Sequence, residues 1–343
     1  MPQQRNMTSK FMKDMVGALN AGKDAPGASV LSKGAFRSEP SGFIPTGIEE
    51  VDKYVLGCGG LPLGRISEVY GAPGAGKSSF VYSCLRQCQL MGGIPVLIHT
   101  EEAAQKSRLV DTFHMDPDNI LICEPRDMEG VVDALQRVLQ PILKSRAKNK
   151  PPVLVCWDSL AATKVRGHDE ASKGEGPAKR ARILNAALRV LPQIIAEVQG
   201  HFMIVNQNRE KVGVMFGSPK TQPGGKAPKY VSTFRLELTY VGKVGVPAHP
   251  TGIEVKIEAT KNKMAPPYRK LTSRFDFVKG WQDWGVLKLA KELKLVPATA
   301  RSVDDARAKL DEISWDPNAP VPEEKLGPAP DEVWDEEVEE ESS

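Results

Sequence analysis

The sequence predicts an α/β protein whose mostly parallel sheet is flanked by helices on both faces. The first observation is that strand and helix signals alternate from Gly47 onward, which is typical of βα units. The second is that the strands are nearly continuous apolar runs, as expected where both faces of a sheet are covered. The third is that a chain of 343 residues with 41% hydrophobic content is large enough to bury a sizeable core.

The chain begins with a predicted short helix and an extended arm. Within Thr8 to Asn20, apolar residues recur at helical spacing, and Thr8 or Ser9 is available as the helix cap. Residues 21–45 are rich in glycine, serine and proline, a composition that does not fold alone. We therefore expect this arm to pack on the body of the protein or on a neighbouring subunit.

The central part is predicted as alternating elements followed by a hairpin. The strands are "RISEVYG", "PVLIHTE", "PPVLVCWDS" and "HFMIVNQN", and the helices between them are "KSSFVYSCLRQCQLMGG", "DMEGVVDALQRVLQPILKS" and "AKRARILNAALRVLPQIIAEVQ". Two alternating runs, "FRLELTYVGKV" and "TGIEVKIEATKNK", are joined by a turn that contains glycine and proline, which predicts a hairpin. Two short helical segments, "GVLKLAKELKL" and "SVDDARAKLDEI", follow Trp284.

Charge is distributed unevenly along the chain. The whole chain carries +3, but residues 321–343 carry −9, so the preceding part carries +12. A basic body with an acidic tail is typical of a protein that binds a polyanion with which its tail competes. A tail that only aids solubility is equally compatible with this charge distribution.

The composition also bears on the cellular compartment. No apolar run reaches the roughly 18 residues that a membrane span needs, and the N-terminus lacks the apolar region of a signal peptide. The cysteines form no CxxC pair, and we expect them to be reduced and mostly buried. They are Cys58, Cys84, Cys88, Cys123 and Cys156. We therefore expect a cytoplasmic protein without a membrane partner.

The stretch "GAPGAGKSS" has the spacing of a phosphate-binding loop. It fits G-x-x-x-x-G-K-[ST] and lies between a predicted strand and a predicted helix, as this motif requires. Its residues are Gly71, Ala72, Pro73, Gly74, Ala75, Gly76, Lys77, Ser78 and Ser79. The glycines let backbone amides turn toward phosphate oxygens, Lys77 neutralises the β/γ-phosphates, and the Ser78 hydroxyl is offered to Mg²⁺. The loop predicts binding of ATP or GTP.

Polar side chains follow three of the predicted strands. Asp158 ends "VLVCWD", where a carboxylate holds the water shell of a metal ion. Glu101 ends "VLIHTE" and is placed to polarise an attacking water, with Glu102 as a competitor for that role. Asn206 and Gln207 end "FMIVNQ", where an amide either contacts the γ-phosphate and transmits its presence to the following loop or only caps the strand.

The loop that follows has an unusual composition. It is rich in glycine, proline and lysine, yet Val214, Met215 and Phe216 lie in its middle without strand or helix periodicity. Apolar side chains in such a loop indicate a surface that packs against a partner.

Four blocks between Ile44 and about Trp284 resemble the RecA family of ATP-dependent DNA strand-exchange recombinases in order and approximate spacing. They are "IPTGIEEVDKYVLGCGGLPLGRISEVYGAPGAGKSS", "VLVCWDSLAA", "VNQNREKVGVMFGSPKTQPGGKAPKYVSTFRLEL" and "VKIEATKNKMAPPY". The third block, which contains the apolar loop, is more distinctive than the P-loop. The resemblance implies an N-terminal helix and polymerisation arm over 1–45, a RecA-like P-loop ATPase core over 46–283, a small helical region over 284–320 and an acidic disordered tail over 321–343.

The resemblance also implies roles for site residues. Lys77, Ser78 and Asp158 would serve ATP and Mg²⁺, Glu101 would be the catalytic glutamate, and Gln207 would be the sensor of the γ-phosphate. In "KNK", Lys261 and Lys263 match lysines that reach ATP bound to the next subunit. A cation supplied across an interface stabilises the charge of phosphoryl transfer. Without the resemblance, these lysines would be interpreted as solvated charges at a strand end.

Two DNA-binding loops are implied, at about 162–181 and 208–229. Arg209, Lys211, Lys226 and the amides of Gly224 and Gly225 would contact phosphates. Val214, Met215 and Phe216 would wedge against bases. Arg182 and Arg189, on the helix after the first loop, match arginines near DNA. The chain departs from the bacterial pattern in its lysine-rich first loop, in Lys226 and in His99, and "EEAAQK" lacks an evident seat for adenine.

The implied function is homologous recombination. The protein would form a helical filament on single-stranded DNA, or a ring without DNA, and would exchange strands with double-stranded DNA while hydrolysing ATP. Single-strand-binding and loading proteins are the implied further partners, the nucleoid is the implied location in a bacterial cell, and host or phage origin stays open. The alternatives are a recombination mediator or paralogue that binds DNA without productive exchange, and a RecA-fold ring helicase.

Overall fold

The fold is described from a computed structural model that covers most of the chain. The described residues are 2–21, 39–101, 106–145, 150–167, 175–210, 220–282 and 284–312. Within them, only the backbone is described for residues 2–9, 175–177, 209–210, 220–221 and 311–312.

Seven α-helices lie in the described ranges. They are α1 (Pro2–Leu19), α2 (Lys77–Leu90), α3 (Met128–Lys144), α4 (Glu175–Val198), α5 (Ala227–Val231), α6 (Trp284–Glu292) and α7 (Val303–Glu312). Two π-helical turns, Val51–Leu56 and Arg108–Thr112, and a 3₁₀ turn, Pro117–Asn119, complete the helical segments of these ranges.

Thirteen β-strands lie in the same ranges. They are β1 (Phe43–Ile44), β2 (Leu61–Pro62), β3 (Arg65–Gly71), β4 (Ile94–His99), β5 (Leu121–Cys123), β6 (Val153–Asp158), β7 (Gly200–Gln207), β8 (Arg209–Glu210), β9 (Lys220–Thr221), β10 (Phe234–Val246), β11 (His249–Asn262), β12 (Lys270–Asp276) and β13 (Gly280–Gln282).

Nine of these strands form the central sheet, in the order β13-β12-β11-β10-β3-β7-β6-β4-β5. The six strands from β10 to β5 run parallel to one another, whereas β10 to β13 form an antiparallel meander at the other side. Because β3, β7, β6 and β4 are parallel neighbours, their carboxyl ends meet at one edge, which is where an open α/β sheet binds its ligands. The predicted mostly parallel α/β architecture is therefore confirmed.

The two faces of the sheet are covered by separate hydrophobic clusters. On one face, Phe80 and Leu85 of α2 pack with Val69 and Leu236 of the strands. On the other face, α3 and α4 pack on Trp157, Phe202 and other strand residues. Fully burying one such side chain contributes roughly 1.5–3 kcal/mol. The continuous burial of β6 and β7 explains why their sequences carry apolar runs without alternation.

The two C-terminal helices form a small third cluster. Leu289 and Ala290 of α6 pack with Ala306 and Leu310 of α7, and Tyr54 of the first π-helical turn joins them. At the start of α6, a Cβ on Gly285 would lie 2.6 Å from Oε1 of the buried Glu50. A Cβ at position 285 would thus displace the Glu50 side chain where α6 approaches the core. The division of the chain into four segments stays a prediction.

Several local predictions need correction. Helix α1 begins at Pro2 and continues through Thr8 and Ser9, so the predicted cap at either residue is wrong. The short strands β5, β12 and β13 were not predicted, because short runs give little periodicity until the sheet pairs them. The five cysteines are free, and three of them are buried, as expected. Within the described ranges, no helix combines the length and apolarity needed to cross a bilayer.

Candidate functional site

The glycine-rich loop joins β3 to α2 in a conformation that only glycine supports at two positions. A Cβ on Gly71 would overlap the carbonyl oxygen of Leu238 in β10. Gly76, which precedes the first residue of α2, has φ +83°, in the left-handed region. The loop therefore ends at a helix N-terminus, where unpaired amides and the helix dipole favour an anion.

Lys77 folds back onto its own loop. Its Nζ donates to the carbonyl oxygens of Gly71 at 3.1 Å and Ala72 at 2.7 Å. Burial lowers the pKa of Lys77, and the nearby carboxylates of Asp158 and Glu101 partly offset that effect. The ammonium is thus held at the mouth of the loop, where a phosphate would supply further negative charge.

Asp158, at the end of β6, is buried and hydrogen-bonded to the side chain of Ser78. Burial raises its pKa, and the hydrogen bond from Ser78 opposes that shift. A hydroxyl and a carboxylate are the hard oxygen donors that Mg²⁺ prefers. Among the described residues, no group of three or more His, Cys, Asp or Glu side chains could hold a metal ion. The donors fit a Mg²⁺ that takes its other ligands from phosphate and water.

Glu101 follows β4 and accepts two hydrogen bonds on the same oxygen. Ser159 Oγ donates to Oε1 of Glu101 at 2.5 Å, and Gln207 Nε2 donates to that atom at 2.9 Å. The structure thus brings together Glu101, which follows β4, Ser159, which follows β6, and Gln207, which ends β7. Glu102, the competitor for the role of Glu101, lies outside the described residues.

These residues line a cavity of about 400 Å³ at the carboxyl edge of the sheet. The lining predicted from sequence comprises Pro73, Gly74, Gly76, Lys77, Ser78, Ser79, Glu101, Asp158 and Gln207. Of the other predicted loop residues, Ala75 is buried beneath the cavity loop. The part of the predicted site that comprises the phosphate loop and the polar residues at the strand ends is therefore one contiguous surface.

The sequence did not identify the remaining lining residues, Arg108, Ile253, Phe275 and Phe277. Arg108 donates to Ser79 Oγ at 2.6 Å, and its guanidinium lies 5.9 Å from the centre of the Phe275 ring. Phe277 is 45% exposed, which leaves an aromatic surface at the cavity. No local motif marks these residues, because they come from separate segments of the chain. Ile253 and Phe275 lie opposite each other in β11 and β12, Phe277 follows β12, and Arg108 begins the second π-helical turn.

Asn206 and Gln207 are adjacent but have different partners. Asn206 Nδ2 donates to Glu68 Oε1 at 2.9 Å and to the carbonyl oxygen of Pro223 at 3.0 Å, whereas Gln207 contacts Glu101 and lines the cavity. Of the two amides considered from sequence, Gln207 is therefore the one placed to contact a bound phosphate. Asn206 instead joins the end of β7 to the returning limb of the second loop.

The base of the second loop is held by a buried ion pair. Arg235 Nε donates to Glu68 Oε2 at 2.6 Å, and the side chains are 13% and 1% exposed. Arg235 also donates to Gln222 Oε1 at 2.6 Å, and Gln222 Nε2 donates to Asn208 Oδ1 at 2.9 Å. Residues on both sides of the loop are thus tied to β3 and β10.

The apolar middle of this loop lies outside the part of the chain that the structure describes. Lys211, Val214, Met215 and Phe216 lie outside the described residues, and Arg209 is described by its backbone alone, in β8. The backbone of β8 pairs with β9 as an antiparallel ribbon. The predicted base contacts stay predictions.

The returning limb of the second loop packs against α4. Gly224 has φ +96°, and a Cβ there would lie 2.7 Å from Leu160 Cδ2 and 2.8 Å from Leu184 Cδ2. A Cβ on Gly225, which has φ +71°, would lie 3.8 Å from Ala181 Cβ. Lys226 is exposed beside them. The predicted glycines of the second loop therefore lie against the helix that follows the first loop.

Arg182 and Arg189 are exposed on α4. They are seven residues apart, about two helical turns, so they lie on the same face of the helix. Arg182 directly follows Ala181, the residue nearest Gly225. The structure thus places Arg182 next in sequence to the point where α4 meets the glycines of the second loop.

Lys261 and Lys263 lie apart from the cavity lining. Lys261 Nζ donates to the carbonyl oxygens of Lys229 at 2.5 Å and Tyr230 at 3.3 Å. Burial, with the adjacent charges of Lys263 and Arg235, lowers the pKa of Lys261 to about 8. Neither lysine is among the described residues that line the cavity of its own subunit.

Comparison with known proteins gives one consistent result. Residues 16–282 match the family described as the RecA N-terminal domain. The chain is 34% identical to Protein RecA of Aquifex pyrophilus over 238 residues, covering 69% of this chain and 65% of that protein. It is 33% identical to Protein RecA of Saccharopolyspora erythraea over 253 residues, covering 74% and 70%. The match thus spans slightly less than two thirds of the Aquifex pyrophilus relative.

Proposed function

The chain belongs to the RecA family, and from that premise we propose that it is an ATP-dependent recombinase that assembles on single-stranded DNA, pairs it with homologous double-stranded DNA and exchanges strands. The observation that carries the proposal is the contact of Gln207 with Glu101 at the cavity. It joins the proposed site of ATP hydrolysis to the strand that leads into the proposed DNA-binding loop.

ATP hydrolysis is the chemistry that the cavity supports. The loop amides and Lys77 would bind the phosphates, and Ser78 with Asp158 would hold Mg²⁺, which neutralises charge on the phosphate oxygens. Glu101 would orient the attacking water and take its proton, while Ser159 fixes the direction of the carboxylate. Gln207 would contact the γ-phosphate.

The aromatic wall supports a seat for the base. Ile253 and Phe277 offer an apolar surface, and Arg108 lies beside Ser79 with its guanidinium toward the same cavity. A purine ring would stack on Phe277. This wall supplies the seat for adenine that the segment after β4 lacks in sequence.

DNA binding is proposed for the surface formed by α4 and the second loop. Arg182, Arg189 and Lys226 are exposed there and would neutralise phosphates, together with the side chains of Arg209 and Lys211. Val214, Met215 and Phe216 would contact bases without selecting sequence. Such a surface binds single strands of any sequence, as homology search requires.

Hydrolysis is proposed to require assembly into a filament. Lys261 and Lys263 lie outside the cavity of their own subunit, which suits lysines that reach ATP on the next one. The exposed apolar residues Phe11, Met12, Met15 and Leu19 of α1 suit a helix that docks on a neighbour. The acidic tail would compete for the DNA-binding surface, and single-strand-binding or loading proteins would assist assembly.

The proposal is tested by ATP hydrolysis with and without single-stranded DNA over a range of protein concentrations. We expect DNA to stimulate hydrolysis cooperatively with protein concentration, and Glu101→Gln to lower kcat by about 10²–10⁴ while ATP still binds. Lys144→Ala, an exposed change at the end of α3, is the matched control. Strand exchange between a circular single strand and a linear duplex completes the test.

Two results would favour the alternatives. DNA binding without stimulated turnover or exchange would favour a mediator or paralogue. Stimulated turnover with ring-shaped particles on DNA and strand separation would favour a ring helicase.

A further inference from the structure

A cluster of hydroxyl groups lies directly behind the proposed catalytic carboxylate. Thr100 precedes Glu101, and Thr163 lies one turn beyond Ser159 in the segment after β6. Thr100 Oγ1 and Thr163 Oγ1 are 2.9 Å apart. Ser159 and Thr163 are almost completely buried, at 0% and 1% exposure, so these groups depend on one another for hydrogen bonds.

The cluster fixes the backbone of Ser159 from two sides. The carbonyl oxygen of Ser159 accepts from Thr100 Oγ1 at 2.9 Å and from Thr163 Oγ1 at 2.8 Å. The amide of Ser159 donates to Thr100 Oγ1 at 3.1 Å. Both backbone groups of the residue that donates to Glu101 are therefore held by threonine hydroxyls.

The orientation of Thr163 is itself determined. Trp157 Nε1 donates to Thr163 Oγ1 at 3.0 Å, which leaves the hydroxyl proton of Thr163 for the carbonyl of Ser159. Trp157 is 2% exposed and packs in the core beneath β6. The hydroxyl is thus hydrogen-bonded to a buried side chain of the core.

The same cluster reaches α4. Arg180 donates from Nη2 to the carbonyl oxygen of Thr163 at 2.8 Å, and Lys179 Nζ donates to the carbonyl oxygen of Arg166 at 3.0 Å. Arg180 is two residues before Arg182 on the helix whose exposed face carries the proposed DNA contacts. One hydrogen-bonded path therefore runs from α4 through Thr163 and Ser159 to Glu101.

We propose that Thr163, together with Thr100, is a positioning residue that sets the orientation of Glu101 through Ser159 and couples it to α4. This inference rests on the proposed ATP hydrolysis and adds a second connection between the two sites, independent of Gln207. A displacement of α4 on binding DNA shifts the carbonyl of Thr163, then the backbone of Ser159, and so the hydroxyl that orients the carboxylate.

The test compares Thr163→Val, which removes the hydroxyl at nearly constant volume, with Thr163→Ser, which keeps it. Steady-state ATP hydrolysis is measured with and without single-stranded DNA, and the affinity for a non-hydrolysable ATP analogue is measured separately. Misplacing a catalytic group by about 1 Å costs on the order of 100-fold in rate. We expect Thr163→Val to lower kcat about 10-fold to 100-fold, with KM for ATP and analogue affinity unchanged.

Two further expectations separate positioning from general stability. The first is that Thr163→Ser restores kcat. The second is that the ratio of DNA-stimulated to basal rate falls in Thr163→Val but stays unchanged in the control variant Thr272→Val. Thr272 is a half-buried threonine of β12 that lies outside the cavity lining. If Thr163→Val fails to fold, Thr100→Val at a half-buried position removes the other hydroxyl that holds the backbone of Ser159, through its carbonyl oxygen and its amide. It should give the same split between kcat and KM.

Suppose that the wild type hydrolyses ATP. The inference is then overturned if the kcat of Thr163→Val, or of Thr100→Val in its place, equals that of the wild type. The inference is also overturned if Thr163→Val loses kcat and analogue affinity equally and Thr163→Ser shows the same losses. Such a result would indicate a structural defect. If wild type itself shows no DNA-stimulated hydrolysis, the proposed function fails first and the inference falls with it.

Discussion

Gln207 Nε2 lies 2.9 Å from Oε1 of Glu101. Gln207 ends β7 and Glu101 follows β4, and the strand β6 lies between these two strands in the sheet, so the contact spans the end of β6. The same oxygen accepts from Ser159. Under the proposed function, Gln207 would turn to the γ-phosphate and Glu101 would lose one of its two donors, so that sensing the phosphate and freeing the carboxylate would be one event.

The first prediction concerns this contact. We expect Gln207→Ala to keep the affinity for ATP, since the loop amides and Lys77 remain, but to abolish most of the stimulation of hydrolysis by single-stranded DNA. The measurement is the ratio of ATPase rates with and without DNA, beside binding of an ATP analogue. Gln222→Ala, a change at the base of the same loop outside the cavity lining, controls for loop disruption. A stimulation ratio equal to that of wild type would refute the proposed coupling.

The second prediction concerns the aromatic wall. Phe277→Ala should raise KM for ATP about tenfold, because stacking on an aromatic ring contributes about 1–3 kcal/mol and about 1.4 kcal/mol corresponds to a factor of ten. The value of kcat at saturating ATP should change little. Val278→Ala, at the adjacent and 73% exposed position, is the matched control. An unchanged KM in Phe277→Ala would place the base elsewhere.

The third prediction concerns the ion pair beneath the second loop. Removing one partner of a buried pair leaves an uncompensated charge and typically costs about 3–5 kcal/mol. Arg235→Met should therefore lower the free energy of unfolding by about that amount, and adding Glu68→Gln should recover much of it. Denaturant unfolding measures both.

The control for this pair is Arg137→Met. Arg137 and Asp133 form an ion pair whose side chains are 79% and 57% exposed, and such pairs contribute only about 0.2–1 kcal/mol. Equal losses for Arg137→Met and Arg235→Met would mean that burial does not distinguish the two pairs.

The fourth prediction concerns pH. Burial raises the pKa of Asp52 from 3.8 to about 7, although both carboxylate oxygens accept from the amide of Thr46. Between these values, the folded protein binds a proton that the unfolded chain releases. The contribution of Asp52 to the free energy of unfolding should therefore fall as pH rises from about 4 to about 7 and then level off.

Asp52→Asn should remove this dependence and raise stability at pH 8 by a few kcal/mol, since one pKa unit corresponds to about 1.4 kcal/mol. Urea unfolding at pH 5, 6, 7 and 8 measures the slope, and Asp111→Asn, at an exposed position, is the control. A slope unchanged by Asp52→Asn would show that another group titrates.

The local parts of the site could be predicted from sequence, whereas the parts built by sheet pairing could not. The phosphate loop is contiguous, so its strand, glycines and helix are visible in one stretch. Phe277 lies about 200 residues beyond Lys77 in the sequence and follows directly after β12, which brings it to the cavity. The buried and exposed residues of β12 alternate over only seven positions, which is too short a pattern to mark a site. Their positions alone did not distinguish Gln207 from Asn206, because the choice depends on Glu68 in another strand. Only the resemblance to the RecA family singled out Gln207.

Gly71 and Gly285 differ in whether a second mutation could suppress the effect of replacing the glycine by alanine. The atom that would meet a Cβ on Gly285 is Oε1 of Glu50, at 2.6 Å, at the tip of a side chain that a second mutation can shorten. The atom that opposes a Cβ on Gly71 belongs to the main chain of Leu238, so no exchange of side chain removes it. Revertants of Gly71→Ala should therefore carry glycine at position 71 again, whereas a change at Glu50 could also suppress Gly285→Ala.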